Sequence, residues 1–166
     1  MTTAAVRLLA PEDFAVFKQL RLEALRTVPE AFASTIEDWQ DLPDEEWQTR
    51  LTNNAVFAAF RDGVPVGLMG LMRQQASKMA HRATIIMVYL REGERGSGLA
   101  QALLDALLEH ARQIGIWQVE LTASAENPAA LRFYGRHGFQ EVGRIPGGFL
   151  HEGREIDDIL MVRRLT

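Results

Sequence analysis

The chain has 166 residues, with 22 acidic residues against 18 Lys and Arg, so its formal net charge is −4. A length of this order predicts a single domain over residues 1–166, and a hydrophobic content of 47% is that of a globular protein. The acidic balance argues against broad binding to nucleic acid, and the absence of cysteine excludes disulfides, thiolate nucleophiles and thiol-ligated metals. No apolar run reaches the roughly 20 residues of a membrane span. Together with the charge balance and the absence of cysteine, this leads us to expect a cytoplasmic protein without membrane, nucleic-acid or metal partners.

The first half of the chain predicts a strand, two helices and a hairpin. Pro11 followed by two acids is a favourable helix start, and an apolar stripe continues that helix. Asp62-Gly63 lies between two apolar runs, and this dipeptide is the strongest short-range signal for a two-residue hairpin turn. The predicted elements are strands over 5–9, 55–60 and 64–72 and helices over 11–27 and 44–51.

The second half predicts a parallel strand–helix–strand unit followed by an antiparallel end. The strand over 82–90 is rich in Ile, Val and Tyr, and we expect it to be buried on both faces or nearly so. It leads through the glycine-rich turn 93–98 into a helix over 99–114 and a strand over 117–123, so the two strands should be parallel neighbours. A further helix over 127–138 and strands from 139 onward and over 156–163 complete an α/β fold, in which helices cover both faces of a mixed sheet in three layers.

The turn before the third helix has the parts of an anion site. Small residues at 96, 97, 98 and 100 allow close backbone approach, the helix start exposes unpaired N–H groups, and Arg95 adds a positive charge. Such a site suits a pyrophosphate. It is neither a P-loop, since no Lys follows Gly98, nor a dinucleotide fingerprint, since position 101 is Gln. The alternative is an ordinary loop whose glycines only permit a tight turn.

Two motifs, with the predicted strand between them, resemble the GNAT superfamily of N-acetyltransferases. Arg95-Gly96-Ser97-Gly98-Leu99-Ala100 matches the signature R/Q-x-x-G-x-G/A, and the segment from Asn127 to Phe139 matches N-x-x-A-x-x-x-Y-x-x-x-G-F. The resemblance is firm from about His81 to Gly143. It implies the acyl-CoA N-acyltransferase fold, with a parallel βαβ core around the glycine turn. It also implies transfer of an acetyl group from acetyl-CoA to a primary amine of a small molecule or amino acid, by direct attack in a ternary complex.

The resemblance implies roles for individual residues. Tyr134 resembles the family's general acid, which protonates the departing thiolate; the alternative is a core tyrosine with a satisfied hydroxyl. Asn127 either caps its helix only, or caps it and contacts the cofactor. The residues implied to bind acetyl-CoA are Val88, Tyr89 and Leu90, through their main chain beside the pantetheine arm, Arg95, Gly96, Ser97, Gly98, Leu99, Ala100 and Gln101 at the pyrophosphate, and Asn127.

No general base follows from the resemblance. Thr84 and Thr122 occupy positions where relatives carry a catalytic Glu, and threonine cannot serve. The remaining candidates are Glu37, Asp38, His81 and Glu120, and water relays could replace all of them. The acid-rich stretch 30–46 is either a solvated face or a field that favours cationic amines. Phe32, Trp39 and Trp47 could line a substrate pocket or pack in the core.

Two other functions stay open. A protein acetyltransferase acting on N-termini or lysines is disfavoured by the two missing glutamates. A non-catalytic acyl-CoA-binding module would keep the glycine turn but would not need the acid that Tyr134 offers. Because the family often dimerises, a homodimer is also possible.

Overall fold

The computed structural model describes residues 2–166. Its helices are α1 (Phe14–Thr27), α2 (Asp44–Asn53), α3 (Leu99–Gln113) and α4 (Pro128–Arg136). Its strands are β1 (Ala4–Leu8), β2 (Ala55–Arg61), β3 (Val64–Arg73), β4 (Arg82–Leu90), β5 (Gln118–Ser124), β6 (Gln140–His151) and β7 (Arg154–Arg164). The number and order of the predicted helices and strands are confirmed, with ends that differ by a few residues.

All seven strands form one mixed sheet in the order β1-β2-β3-β4-β5-β7-β6. The β2–β3 hairpin turns at Asp62 and Gly63, whose φ angles are 51° and 80°. Positive φ at both central residues is the geometry that Asp-Gly favours, because its twist matches that of the flanking strands. β4 and β5 are parallel and every other neighbouring pair is antiparallel, as the strand–helix–strand unit predicts.

Helices cover both faces of the sheet, which confirms the three-layer α/β prediction. On β2, Val56 and Ala58 pack into one core with α1 and α2, whereas Phe57 and Ala59 pack into a second core with α3. This alternation follows from the two-residue period of a strand. Tyr134 of α4 belongs to the second core. Within residues 2–166, no helix is long and apolar enough to cross a bilayer.

The parallel pair of β4 and β5 is short, and this leaves a gap between the two strands. β4 pairs with β5 only over Arg82–Thr84, opposite Gln118–Glu120. Beyond that point β5 continues beside β7, so within residues 2–166 the edge of β4 that faced β5 has no strand partner. The expectation that the strand over 82–90 is buried on both faces or nearly so is therefore wrong for the second half of β4. There, Ile86 and Met87 are only half-buried and Val88 is exposed.

Candidate active site

A bulge in β4 lies where that strand leaves β5. Between two regular pairs with β3, β4 has two residues, Met87 and Val88, where β3 has only Met69. Met87 adopts a φ of 56°, in the left-handed region that a non-glycine residue rarely occupies. A bulge bends its strand and breaks the alternation of side chains. Successive residues of β4 therefore reach the gap that β5 vacates.

The gap between β4 and β5 widens into a cleft of about 930 Å³. Elements far apart in the sequence meet there, because α1 and α2 lie on one face of the sheet and α4 lies on the other. The residues that line it include Arg21, Phe32, Trp39 and Arg50 on the α1–α2 side, Thr84–Leu90 along β4, Arg95 at the turn, and Thr122, Asn127, Tyr134 and Asp158 on the opposite side.

The glycine turn is open on its outer surface. Gly96 and Gly98 have φ angles of 77° and 88°, and Gly98 is the N-cap of α3. A Cβ atom added at either glycine would meet no atom within 4 Å. The two residues therefore keep a left-handed backbone and leave the space in front of the helix start free.

Several backbone N–H groups of this turn have no protein acceptor. The N–H of Ser97 donates to the carbonyl oxygen of Glu94 over 3.2 Å, and the N–H of Leu99 donates to Ser97 Oγ over 3.4 Å. Arg61 bonds the Glu94 carboxylate at 2.9 Å and so fixes the segment before the turn. In the part of the chain that is described, no acceptor is found for the N–H groups of Gly96, Gly98, Ala100 and Gln101. With the helix dipole and the exposed Arg95, these groups form a positive site that an anion can occupy.

Glu23 joins the end of β4 to α1. Its carboxylate accepts hydrogen bonds from the Tyr89 hydroxyl at 2.8 Å and from two nitrogens of Arg91 at 2.8 and 2.7 Å. The bond from Arg91 lowers the pKa of Glu23, and burial raises the pKa of Tyr89. The side chain of Tyr89 is thus occupied in the core, and its main chain pairs with Leu68 of β3.

Tyr134 belongs both to the core and to the cleft wall. Its ring packs edge-on against Phe133 and Phe139, with centroids 5.2 and 5.5 Å away. Burial alone raises its pKa well above the ordinary value, so the hydroxyl keeps its proton at neutral pH. Both interpretations of Tyr134 fit this position, since a core tyrosine here also reaches the cleft.

Asn127 is the N-cap of α4. Its Oδ1 accepts the N–H of Ala130 at 3.1 Å, as expected for Asn before Pro at a helix start. Asn127 also lines the cleft. The cap is therefore present, and the cofactor contact stays a prediction.

The four base candidates proposed from the sequence lie outside the cleft. Glu120 is ion-paired with Arg82 at the closed end of the gap, and this bond lowers its pKa. Asp38 accepts the N–H of Thr35 at 2.8 Å, and the ring of His81 packs against that of Trp117 with a centroid distance of 4.7 Å and a tilt of 43°. None of Glu37, Asp38, His81 and Glu120 is among the described residues that line the cleft.

Asp158, which the sequence analysis missed, places a carboxylate in the cleft wall. Burial raises its pKa, and no cation lies within ion-pair distance among the described residues. Gly148 makes room for it, since a Cβ at that position would lie 2.7 Å from Asp158 Oδ2. A signal was available: Asp158 follows Ile156 by two residues, so both side chains share one face of β7. The neighbouring acid Glu126, by contrast, is paired with Arg154 at 2.5 and 2.9 Å.

Arg21 brings a buried charge to the other side of the cleft. Its side chain stacks on Phe32 and Trp39, and the residue is only 4% exposed. Desolvation, and then the nearby Arg50, lower its pKa to about 10, so it stays charged at neutral pH. The sequence contained the signal, because Arg21 lies four residues after Phe17 and four before Leu25, on the apolar face of α1.

The acid-rich stretch 30–46 does not enclose the cleft with negative charge. Of its acids only Glu30 is a cleft residue, and Glu46 is ion-paired with Arg50. The structure thus favours a solvated face for this run. Phe32 and Trp39 line the cleft as considered, whereas Trp47 is fully buried in the core.

Comparison with known proteins gives a consistent family assignment. Residues 20–139 match the model of the Acetyltransferase (GNAT) family. The L-amino acid N-acetyltransferase AaaT of Escherichia coli K12 is 26% identical over 98% of this chain and 99% of its own length. The uncharacterized N-acetyltransferase MJ1207 of Methanocaldococcus jannaschii is 30% identical over 61% of this chain. The chain spans only 39–46% of the length of the first curated relatives it matches.

Solved structures share the fold. An acetyltransferase of the GNAT family from Streptococcus pneumoniae superimposes with a TM-score of 0.86 at 24% identity, covering 99% of this chain and 100% of that one. The structure of yncA from Salmonella typhimurium with its cofactor acetyl-CoA gives a TM-score of 0.82 at 19% identity, covering 99% and 95%.

Proposed function

The chain belongs to the GNAT family of acetyltransferases, and from that membership we propose that residues 1–166 form one acetyl-CoA-dependent N-acetyltransferase domain. Its acceptor is the primary amine of an amino acid or another small molecule, which attacks directly in a ternary complex. The observation that carries the proposal is the cleft, which reaches the glycine turn at Arg95 and has Tyr134 and Asp158 in its wall. The N–H groups without an acceptor follow Arg95 directly in the chain, at the start of α3.

The residues present fit acetyl-CoA. The free N–H groups of the turn and Arg95 suit a pyrophosphate, and the open space beside Gly96 and Gly98 lets it approach. The edge of β4 that has no strand partner within residues 2–166 offers main-chain groups of Val88 and Leu90 to the amide-rich pantetheine arm. When bound, acetyl-CoA supplies the acetyl thioester whose carbonyl carbon the amine attacks.

Asp158 prepares the amine. An amine with a pKa of about 10.4 is less than about 0.1% neutral at pH 7, so a base that removes its proton accelerates attack. The raised pKa of the Asp158 carboxyl brings it closer to the working pH and improves it as a proton acceptor. Backbone N–H groups of β4 stabilise the negative charge that develops on the carbonyl oxygen, an effect worth about 3–4 kcal/mol for one well-placed donor.

Tyr134 completes the proton path. Since burial keeps its hydroxyl protonated, the group is available to donate to the sulfur as the thioester bond breaks. The ammonium acceptor gives up two protons overall. One reaches the thiol through Tyr134, and the other reaches solvent through Asp158.

The test of this function is thiol release on mixing the protein with acetyl-CoA and a panel of amines. We expect Asp158→Asn to lower kcat/KM at pH 7 by about 10²–10⁴-fold. The loss should shrink as the pH rises toward the pKa of the amine, because the acceptor then loses its proton without help. Asp41→Asn, at an exposed acid outside the cleft, is the matched control.

Each other outcome has a distinct meaning. Equal rates for Asp158→Asn and the unmodified protein at pH 7 would show that Asp158 is not the general base. Release with peptides only would indicate a protein acetyltransferase. Binding of acetyl-CoA without release by any amine or peptide would indicate a non-catalytic acyl-CoA-binding module.

A further inference from the structure

Two arginines lie against one aromatic ring on the α1–α2 side of the cleft. The Cζ atom of Arg21 is 4.5 Å from the ring of Trp39, and the Cζ atom of Arg50 is 4.2 Å from the same ring. The Cζ atom of Arg21 also lies over the ring of Phe32, 4.9 Å from its centroid. Two positive charges on one ring repel each other, and an anion bound in the cleft beside both guanidinium groups would reduce that repulsion.

Arg21 has no counter-ion in the part of the chain that the structure describes. Its Nε and Nη1 atoms are buried, and neither has a hydrogen-bond partner in residues 2–166. Arg50 is partly compensated, since its Nε donates to Glu46 at 3.0 Å. Buried charges in proteins are normally paired, and an arginine left unpaired in the wall of a ligand cleft marks a place where the ligand supplies the pair.

The opposite wall of the same cleft carries a charge of the other sign. Asp158 lies there without a cation partner among the described residues, and Arg21 and Arg50 line the α1–α2 side. The exposed acid Glu30 also lines the arginine side. The less exposed charges, Asp158 in one wall and Arg21 in the other, are complementary to a molecule that has an ammonium group and an anionic group. A polyamine or a simple alkylamine would leave Arg21 without a partner.

We propose that Arg21, supported by Arg50, forms a carboxylate subsite, and that the acceptor is therefore an amino acid whose carboxylate binds there. This inference rests on the function proposed above and specifies its substrate class. Stacking on Phe32 and Trp39 fixes the plane of Arg21 before the ligand arrives. Since Nε and Nη1 are buried, Nη2 is the nitrogen that faces the ligand.

The activity test uses acceptors that share a side chain and are compared with and without the carboxylate. Because an amide also has a lower α-amine pKa than its acid, kcat/KM is calculated on the neutral amine for each acceptor. L-Leucine, L-methionine and L-phenylalanine are compared with their amides and with spermidine. We expect kcat/KM for each acid to exceed that of its amide by about 10²-fold, because the amide leaves the buried charge uncompensated. Arg21→Met should abolish most of that ratio, and Arg21→Lys should restore part of it. Arg26→Met, at an exposed arginine of α1 outside the cleft, should keep the full ratio.

Thermal unfolding gives a readout that does not depend on turnover. Since Arg21 is buried and unpaired, Arg21→Met should unfold at the same Tm as the unmodified protein, or a higher one, when no ligand is present. An arginine that served only to pack on Phe32 and Trp39 would instead give a lower Tm and an unchanged acid-to-amide ratio. With coenzyme A present, L-methionine should raise the Tm of the unmodified protein but not that of Arg21→Met.

The two proposals fail in different ways. If amides and spermidine are acetylated as efficiently as the acids, the carboxylate subsite is wrong and the acetyltransferase function stands. If no amine is acetylated, the proposed function is wrong, and calorimetry decides the subsite separately. L-Methionine that binds the coenzyme A-saturated protein but not Arg21→Met supports the subsite, whereas no binding, or equal binding by both, overturns it.

Discussion

Tyr134 shows how one residue can serve the core and the cleft together. Its ring fills a space between Phe133 and Phe139, yet the residue also lines the cleft. Burial raises its pKa, and among the described residues no hydrogen bond or neighbouring charge contributes to that shift. A phenylalanine at this position would keep the ring and its packing, so the hydroxyl can be tested by itself.

We expect Tyr134→Phe to lower kcat by about 10²–10³-fold, because one positioned proton donor is lost from the transition state. KM and the affinity for acetyl-CoA should change little. Tm should not fall, because the hydroxyl makes no hydrogen bond to any of the described residues. Steady-state kinetics and thermal unfolding on one preparation measure both. Tyr89→Phe is the comparison: its hydroxyl bonds Glu23 at 2.8 Å, so its loss should cost about 1 kcal/mol of stability. A Tyr134→Phe protein with more than half the original turnover would leave Tyr134 as a core residue only.

The residues that sequence reasoning missed are charges on apolar faces. Arg21 and Asp158 lie at positions whose periodicity indicates burial, and charged residues are normally read as exposed. The structure explains both charges, because the cleft runs past α1 at Arg21 and past β7 at Asp158. The sequence could not exclude the four other base candidates, because no local pattern shows which acidic or histidine side chains reach the gap between β4 and β5.

At the scale of elements, local signals were sufficient where the geometry is local. Asp62-Gly63 predicted the hairpin, and the strand–turn–helix–strand order predicted the parallel pair. The divergence of the pair after Thr84 depends on β5 pairing with β7, a strand some 30 residues further along the chain. The bulge at Met87 and Val88 depends on register with β3, which side-chain periodicity alone does not encode.

The glycine turn gives a prediction at this scale. Gly98→Val should weaken binding of acetyl-CoA well beyond tenfold, because valine is strained at a φ of 88° and fills the open space before α3. Gly63→Val is a matched control, since Gly63 has a φ of 80° and equally open surroundings but lies in the β2–β3 hairpin. Both variants should lose stability, and only Gly98→Val should lose affinity in calorimetry. A folded Gly98→Val protein that binds as tightly as the control would remove the turn from the binding site.

At the scale of the whole molecule, one edge of the sheet bears on the possible homodimer. β6 ends the strand order and exposes Val142, Ile145 and Leu150. Exposed edges of this kind invite pairing with another chain. The same strand contains Pro146 and an irregular register between Ile145 and Phe149, which interrupt its free edge. The homodimer thus stays a prediction, and a partner would have to pair beside these interruptions or pack on the side chains.

Ion pairs between elements hold the walls of the cleft, and they make stability depend on pH. Arg91 lowers the pKa of Glu23, which ties α1 to the end of β4, and Arg82 lowers the pKa of Glu120 between β4 and β5. A carboxyl whose pKa is lower in the folded state stabilises the fold above its unfolded pKa of about 4.3. That stabilisation is lost as the pH falls through the folded pKa, because the unfolded chain binds more protons.

We therefore expect Tm to be steady near neutral pH and to fall steeply as the pH drops below about 4.5. Glu23→Gln should lower Tm at pH 7, where its charge matters, and should flatten the fall at acid pH, because one of the titrating groups is gone. Glu141→Gln, at an exposed acid of β6, should leave both the Tm at pH 7 and the slope nearly unchanged. Calorimetric scans of the three proteins from pH 3 to 7 measure these differences. Parallel curves for Glu23→Gln and the unmodified protein would mean that the bond between α1 and β4 does not stabilise the fold, and that α1 is held beside the cleft by apolar packing alone.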